Sequence, residues 1–195
     1  IVGGGAGGTS AAIQSARNGA KTLLIEETEW LGGMLTSAGV SAIDGNYKLP
    51  SGFWGEFKDS LVSHYGDLES LKTGWVSNVL FEPKVGNEIL KSIAKNEKNL
   101  KILFSSSVSS VFQPKDDYYN FIVNSSKGHF SSKVLIDATE LGDILPMIKE
   151  DYDIGMDNIE MYDEDIAPKL KNDIIQDLTY VMVLKNYNKN VKIEK

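Results

Sequence analysis

The sequence predicts an α/β fold, a parallel sheet flanked by helices with a β-meander attached, followed by the start of a second unit. Three observations lead there. A glycine cluster lies between an apolar strand end, Ile1-Val2, and an alanine-rich helical stretch. An apolar strand at residues 21–26 follows that helix and ends in acids. Later, apolar runs at 101–104 and 133–137 bracket alternating segments joined by polar turns. Strand, helix and strand in this order favour parallel pairing through a right-handed crossover.

The elements follow in order. Residues 9–17 are good helix formers, and Gly19 just beyond them supplies a stop. Residues 30–45 are punctuated by glycine and too irregular for one long element. In 51–65, Phe53, Trp54, Phe57, Leu61 and Val62 recur on one face of a helix, a spacing that reads as core packing. In 83–95, Pro83 suits a first turn, and Val85, Ile89, Leu90 and Ile93 form the apolar stripe. Strands at 108–113, 118–124 and 128–130, with turns at 114–117 and 125–128, make the meander. Residues 133–137 return as an apolar strand, and 177–185 read as a last strand. Composition shifts near residue 147, dividing the chain into 1–147 and 148–195.

The 195 residues suit one domain, or one domain and part of another. The opening Ile1-Val2 has no methionine and runs straight into glycines, so the sequence reads as a piece of a longer chain with its first strand truncated. The absence of cysteine excludes a disulfide framework, a thiolate nucleophile and an iron–sulfur cluster held by this chain. A formal charge of −7 is concentrated in residues 150–165, which hold eight acids and no Lys or Arg. With those eight set aside, 19 of the 27 acids face 20 basic residues. That balance gives no basic footprint for nucleic acid, and no apolar run is long enough to span a membrane. A cytoplasmic location is the default expectation. His64 and His129 stand far apart without companion ligands, so no metal is expected. Arg17 is the single arginine, and a phosphate site here must rest on backbone amides and helix ends.

Gly3, Gly5 and Gly8 fit G-x-G-x-x-G between a strand and a helix, the Rossmann-like context in which the motif binds a dinucleotide. The first glycine turns the chain, the second admits a pyrophosphate, and the third allows close helix packing. Glu26 lies 18 residues after Gly8, where a carboxylate can accept bonds from a ribose diol. Counting from Gly3 favours Glu26 over the adjacent Glu27. No arginine follows this strand to receive a 2′-phosphate, which argues against NADP.

A second glycine pair, Gly32-Gly33, comes six residues after Glu26 and is foreign to a plain NAD fold. Residues 30–39, with 81–85 and 136–143, resemble the glutathione-reductase-like and fumarate-reductase-flavoprotein-like FAD-dependent oxidoreductases. Glu140 stands where most such proteins have glycine. The resemblance implies an FAD-binding domain over 1–147 and, over 148–195, an acidic connection and the incomplete start of a substrate domain. It places Gly3, Gly5 and Gly8 at the pyrophosphate, and Glu26 at the adenosine ribose. Gly32, Gly33 and Met34 would line the path to the flavin, the Val108 backbone would meet the adenine, and Ala138 and Thr139 would pass close to the pyrophosphate. Thr36 and Ser37 would either hydrogen-bond the flavin ring or cap their own turn. Trp75 either walls the active site or packs locally. Neither histidine lies in the glycine-rich loop, so FAD would be held non-covalently.

The expected activity is hydride transfer between a small organic substrate and FAD, with an unidentified electron acceptor. No catalytic base is assigned; Asp44 and Tyr47 are the ionisable groups just past the flavin-proximal loop. A non-catalytic dinucleotide-binding or flavin-carrying subunit is one alternative, and a tRNA-modifying flavoprotein is another.

Overall fold

The computed structural model describes residues 1–74, 77–114, 120–182, 184, 187–189 and 191. In chain order the elements are α1 (Ala6–Arg17), β1 (Thr22–Ile25), α2 (Gly52–Tyr65), α3 (Pro83–Lys95) and β2 (Leu100–Leu103). Then come β3 (Val108–Phe112), β4 (Phe121–Ser125), β5 (Gly128–Ser132), α4 (Ile144–Ile148) and α5 (Ile159–Tyr162). Single 3-10 turns occupy Gly33–Leu35 and Glu69–Leu71. Helix α3 has the predicted span, with Pro83 in its first turn and Val85, Leu90 and Ile93 buried. Trp75 and residues 115–119, parts of the predicted loop, turn and strand, lie outside the described residues.

Strands β1 and β2 pair in parallel, from Thr22 opposite Leu100 to Ile25 opposite Leu103. Val2 bridges both Ile25 and Asp137, again in parallel. The order across the sheet is therefore β2, β1, Val2 and the Asp137 segment. The predicted strand at 133–137 contracts to this one bridge, where Val2 donates to Ile136 O (3.0 Å) and accepts from Ala138 N (2.8 Å). Val2 alone pairs with it, and Val134 is left 71% exposed. A second correction concerns 177–185, where no described residue is in a strand. Leu178, Tyr180, Met182 and Leu184 face solvent, with no neighbouring strand to satisfy their backbone groups.

The meander is an antiparallel sheet in the order β3-β4-β5, with Val111 opposite Val123 and Val123 opposite Phe130. Successive strand residues point to opposite faces. Leu24 accordingly joins the core with Ile13, Leu61, Leu90 and Ile93 on the helical side. Its neighbour Ile25 joins Val2, Val111, Val123 and Ile144 on the meander side. No described residue beyond Ile148 belongs to either core.

Helix α1 starts at Ala6 rather than at Thr9, because Gly8 fits inside its first turn. A Cβ at Gly8 would stand 1.9 Å from Gly3 O, so only glycine lets the helix seat so closely on the strand end. At the other end, Arg17 grips Glu56 of α2 with Nη1 and Nη2 (2.7 and 2.8 Å) and Glu97 with Nε (2.7 Å). The chain's single arginine thus ties α1 to α2 and to the turn after α3, at the helix end away from the glycine cluster. His64 packs edge-on against Tyr65, and His129 Nδ1 lies 2.6 Å from Asn124 Oδ1 in the meander. No helix among the described residues is long and apolar enough to cross a membrane.

The hydrogen bonds from Arg17 hold the Glu56 carboxyl below its ordinary range. A depressed carboxylate stabilises the fold above its unfolded value and loses that contribution as pH falls through the folded one. Arg17→Gln should therefore cost about 0.5–1 kcal/mol near neutral pH, the range of partly exposed ion pairs. The difference should begin to shrink as pH drops below the ordinary glutamate value and vanish once pH has passed the lower folded one, as measured by urea unfolding at a series of pH values.

Candidate functional site

The site begins where residues 2–5 leave the sheet. Gly3 has φ +95°, and a Cβ there would lie 2.2 Å from Ala138 O. The turn and the close passage of the 137–139 segment both demand glycine. Gly3 N donates to Ile25 O (2.9 Å), and Gly32 N donates to Gly4 O (2.8 Å). The second glycine pair is thereby laid on the first: a Cβ at Gly33 would come within 2.9 Å of Gly5 Cα. Gly5 itself is the N-cap of α1 and provides no side-chain cap, and the first turn carries no acid. The amides of Ala6, Gly7 and Gly8 therefore point outward with no side chain closing the helix end.

Two cavities meet at this helix end. One, of about 680 Å³, is lined by Gly3, Gly4, Glu26, Glu27, Ser37, Ser106 and Val108, among others. The other, of about 830 Å³, is lined by Met34, Leu35, Ile43, Asp44, Phe53, Trp54 and Phe57, among others. Gly5, Ala138, Thr139 and Glu140 border both. No described lysine or arginine lines either cavity. The feature of this border that favours an anion is the amide end of α1.

Glu26 is already held. Its Oε2 accepts from Gly4 N (2.6 Å), and its Oε1 accepts from Thr28 N (2.7 Å) and Thr28 Oγ1 (2.6 Å). A carboxylate has about four acceptor positions, so roughly one remains for a ligand hydroxyl. Glu27 borders the same cavity. Thr36 is 1% exposed and donates to Leu31 O (2.5 Å), so its hydroxyl caps the turn and lines neither cavity. Ser37 Oγ donates to Gly33 O (3.2 Å) and borders the smaller cavity. Met34 is 57% exposed at the larger one. Asp44 stands at the same cavity, whereas Tyr47 packs against the helical core.

Sequence reasoning missed two things. Phe53 and Trp54 are half-buried against the helical core, as their spacing predicts, and they also wall the larger cavity. Periodicity reports which side of a helix is apolar and is silent on whether that side meets protein or a cleft. Asp137 is the other omission. Its Oδ1 accepts from Thr139 N (3.0 Å) and Thr139 Oγ1 (2.7 Å), and its Oδ2 accepts from Ile144 N (3.1 Å). Thr139 Oγ1 in turn accepts from Asp143 N (2.8 Å). An acid at a strand end followed by a threonine two residues on was the available signal.

Asp137 thus fixes the loop that shares a border with both cavities. Asp137→Ala should lower stability by about 1–3 kcal/mol, since three donors lose their acceptor. Hydrogen exchange at the Thr139 and Ile144 amides should accelerate more than exchange in α3.

Structures of known proteins place the fold. L-Proline dehydrogenase from P. horikoshii superposes with a TM-score of 0.51 at 15% identity, over 80% of this chain and 56% of that one. The bacillithiol disulfide reductase Bdr of Staphylococcus aureus gives 0.41 at 19% identity, over 68% and 35%. Thioredoxin reductase of Lactococcus lactis gives 0.39 at 15% identity, over 68% and 32%. The chain spans from 32% to 56% of the lengths of these three proteins. A comparison with curated protein sequences gave no match. A family model for FAD dependent oxidoreductases matches residues 1–194. The chain belongs to the FAD-dependent oxidoreductase family, whose cofactor is FAD.

Proposed function

We propose that this chain is the FAD-binding portion of an oxidoreductase that passes a hydride between a small organic substrate and non-covalently held FAD. The observation that carries the reading is the uncapped α1 end at the junction of two cavities, with the backbones of Gly5 and Gly33 in contact beside it. An elongated dinucleotide needs this arrangement: anion recognition in the middle and a compartment on either side. The residues present suit the cofactor without a cationic side chain.

On this reading the amides of Ala6, Gly7 and Gly8 receive the diphosphate, with Gly3, Gly5, Gly8, Ala138 and Thr139 keeping the cradle free of side-chain bulk. The remaining acceptor position of Glu26 takes a ribose hydroxyl, and Val108 borders the adenine compartment. Gly32 and Gly33 carry the chain toward the larger cavity, where Met34, Phe53 and Trp54 provide an apolar wall. Thr36 acts from within the core, holding the 31–36 turn in shape, rather than touching the ring. When bound, FAD supplies the two-electron chemistry that side chains lack, and the protein orients it and excludes water. A separate acceptor would then receive the electrons. Residues 1–147 would be the cofactor domain, and 148–195 the connection to a substrate domain, in keeping with two cores that end by Ile148.

Gly5 provides a clean test, because its φ of −59° is open to any residue. Gly5→Val fills the cradle without straining the turn. The full-length protein should purify with visible flavin absorbance and release FAD on denaturation. The variant should carry no flavin and unfold at the midpoint of the flavin-free parent. A colourless parent protein that gains no flavin absorbance on addition of FAD would refute the reading.

A further inference from the structure

The Glu140 carboxylate lies over the contact between the two glycine turns. Its Oε1 is 3.1 Å from the position of a Cβ at Gly5 and 2.7 Å from that of a Cβ at Gly33. It therefore occupies space immediately beside the open amide end of α1, at the shared border of the two cavities. No hydrogen bond to a described residue holds it there. Leu141 beside it is 87% exposed, and Gly142 follows with φ +70°. The carboxylate is thus an anion near a helix N-terminus, where negative charge is favoured, on a side chain free to turn away.

We infer that Glu140 is an exchangeable anionic placeholder in the cradle, displaced when a diphosphate enters, and that it sets the affinity for phosphate-bearing ligands. The inference rests on the reading of α1 as the diphosphate site. Two like charges cannot share that end of the helix at close range without strong repulsion, and no described lysine or arginine lines the cavities to neutralise the pair. A diphosphate must therefore push the carboxylate outward or bind against its field. The cavity that would take the adenosine is lined by Glu26, Ser106 and Val108 as well as by Glu140, and an uncharged nucleoside brings no charge for that carboxylate to repel, so its affinity should not follow the substitution.

The probes are ADP, which carries the diphosphate, and adenosine, which lacks it, titrated calorimetrically into the flavin-free full-length protein. Glu140→Gln should bind ADP roughly tenfold more tightly than the parent, or better, at low salt. The gain should shrink as salt rises. Adenosine should bind both proteins alike, and Glu140→Ala should reproduce the gain for ADP. Equal ADP affinity in parent and variants would overturn the inference and leave the nucleotide site standing. Weaker ADP binding by Glu140→Gln would overturn it in the opposite sense, making the carboxylate part of the ligand's support. ADP binding that survives Gly5→Val would put the diphosphate elsewhere and remove both readings. Failure of every protein to bind ADP would do the same.

Discussion

Backbone hydrogen bonding by residues 2–4 is the constraint on which the site depends. Val2 pairs with Ile136 and Ala138, Gly3 with Ile25, and Gly4 with both the Glu26 carboxylate and Gly32. Three residues thereby fix the relative positions of β1, the second glycine turn and the 136–139 loop. Each of those segments borders a cavity. Side chains would obstruct this packing: a Cβ at Gly3 collides with Ala138, and one at Gly8 collides with Gly3. The sequence thus trades side chains for proximity at the one place where several chain segments must converge.

The electrostatic design follows from the same economy. The single arginine is committed to Glu56 and Glu97 at the far end of α1, where it clamps α1, α2 and the turn after α3 together. Across α1, about 16 Å at its rise per residue, the other end keeps its amides open. The cavity borders carry carboxylates, namely Glu26, Glu27, Asp44, Asp137, Glu140 and Asp143, and no described cationic side chain. On the proposed reading, such a site would hold an anion through directed dipoles over a short range, with geometry mattering more than net charge.

Much of this was legible because its causes are local. The G-x-G-x-x-G cluster, the strand ending in Glu26 and the Pro83 helix start each depend on residues within a few positions of one another, and each lies where the pattern puts it. What failed was decided elsewhere in the chain. The strand at 133–137 shrank because pairing is a property of two segments, and Val2 alone answers it. The 177–185 run has β-forming residues and, over its described part, no partner. Of the two roles the sequence left open for Thr36, its hydroxyl takes the local one, on Leu31 O five residues back. Phe53 and Trp54 pack against the helical core and also border a cleft, and hydrophobic periodicity reports only the first.

The alternation at the end of β1 has an effect on fidelity of assembly. Leu24 belongs to one core, Ile25 to the other, and Glu26 follows directly with its carboxylate on Gly4 N. A slip of one residue against β2 would exchange two aliphatic side chains of equal size between two greasy interiors. Both interiors could absorb that exchange. The same slip would turn the Glu26 carboxylate away from Gly4 and Thr28. Misassembly at this strand would therefore surface first at the Glu26 carboxylate and the cavity it borders, in molecules that still look folded.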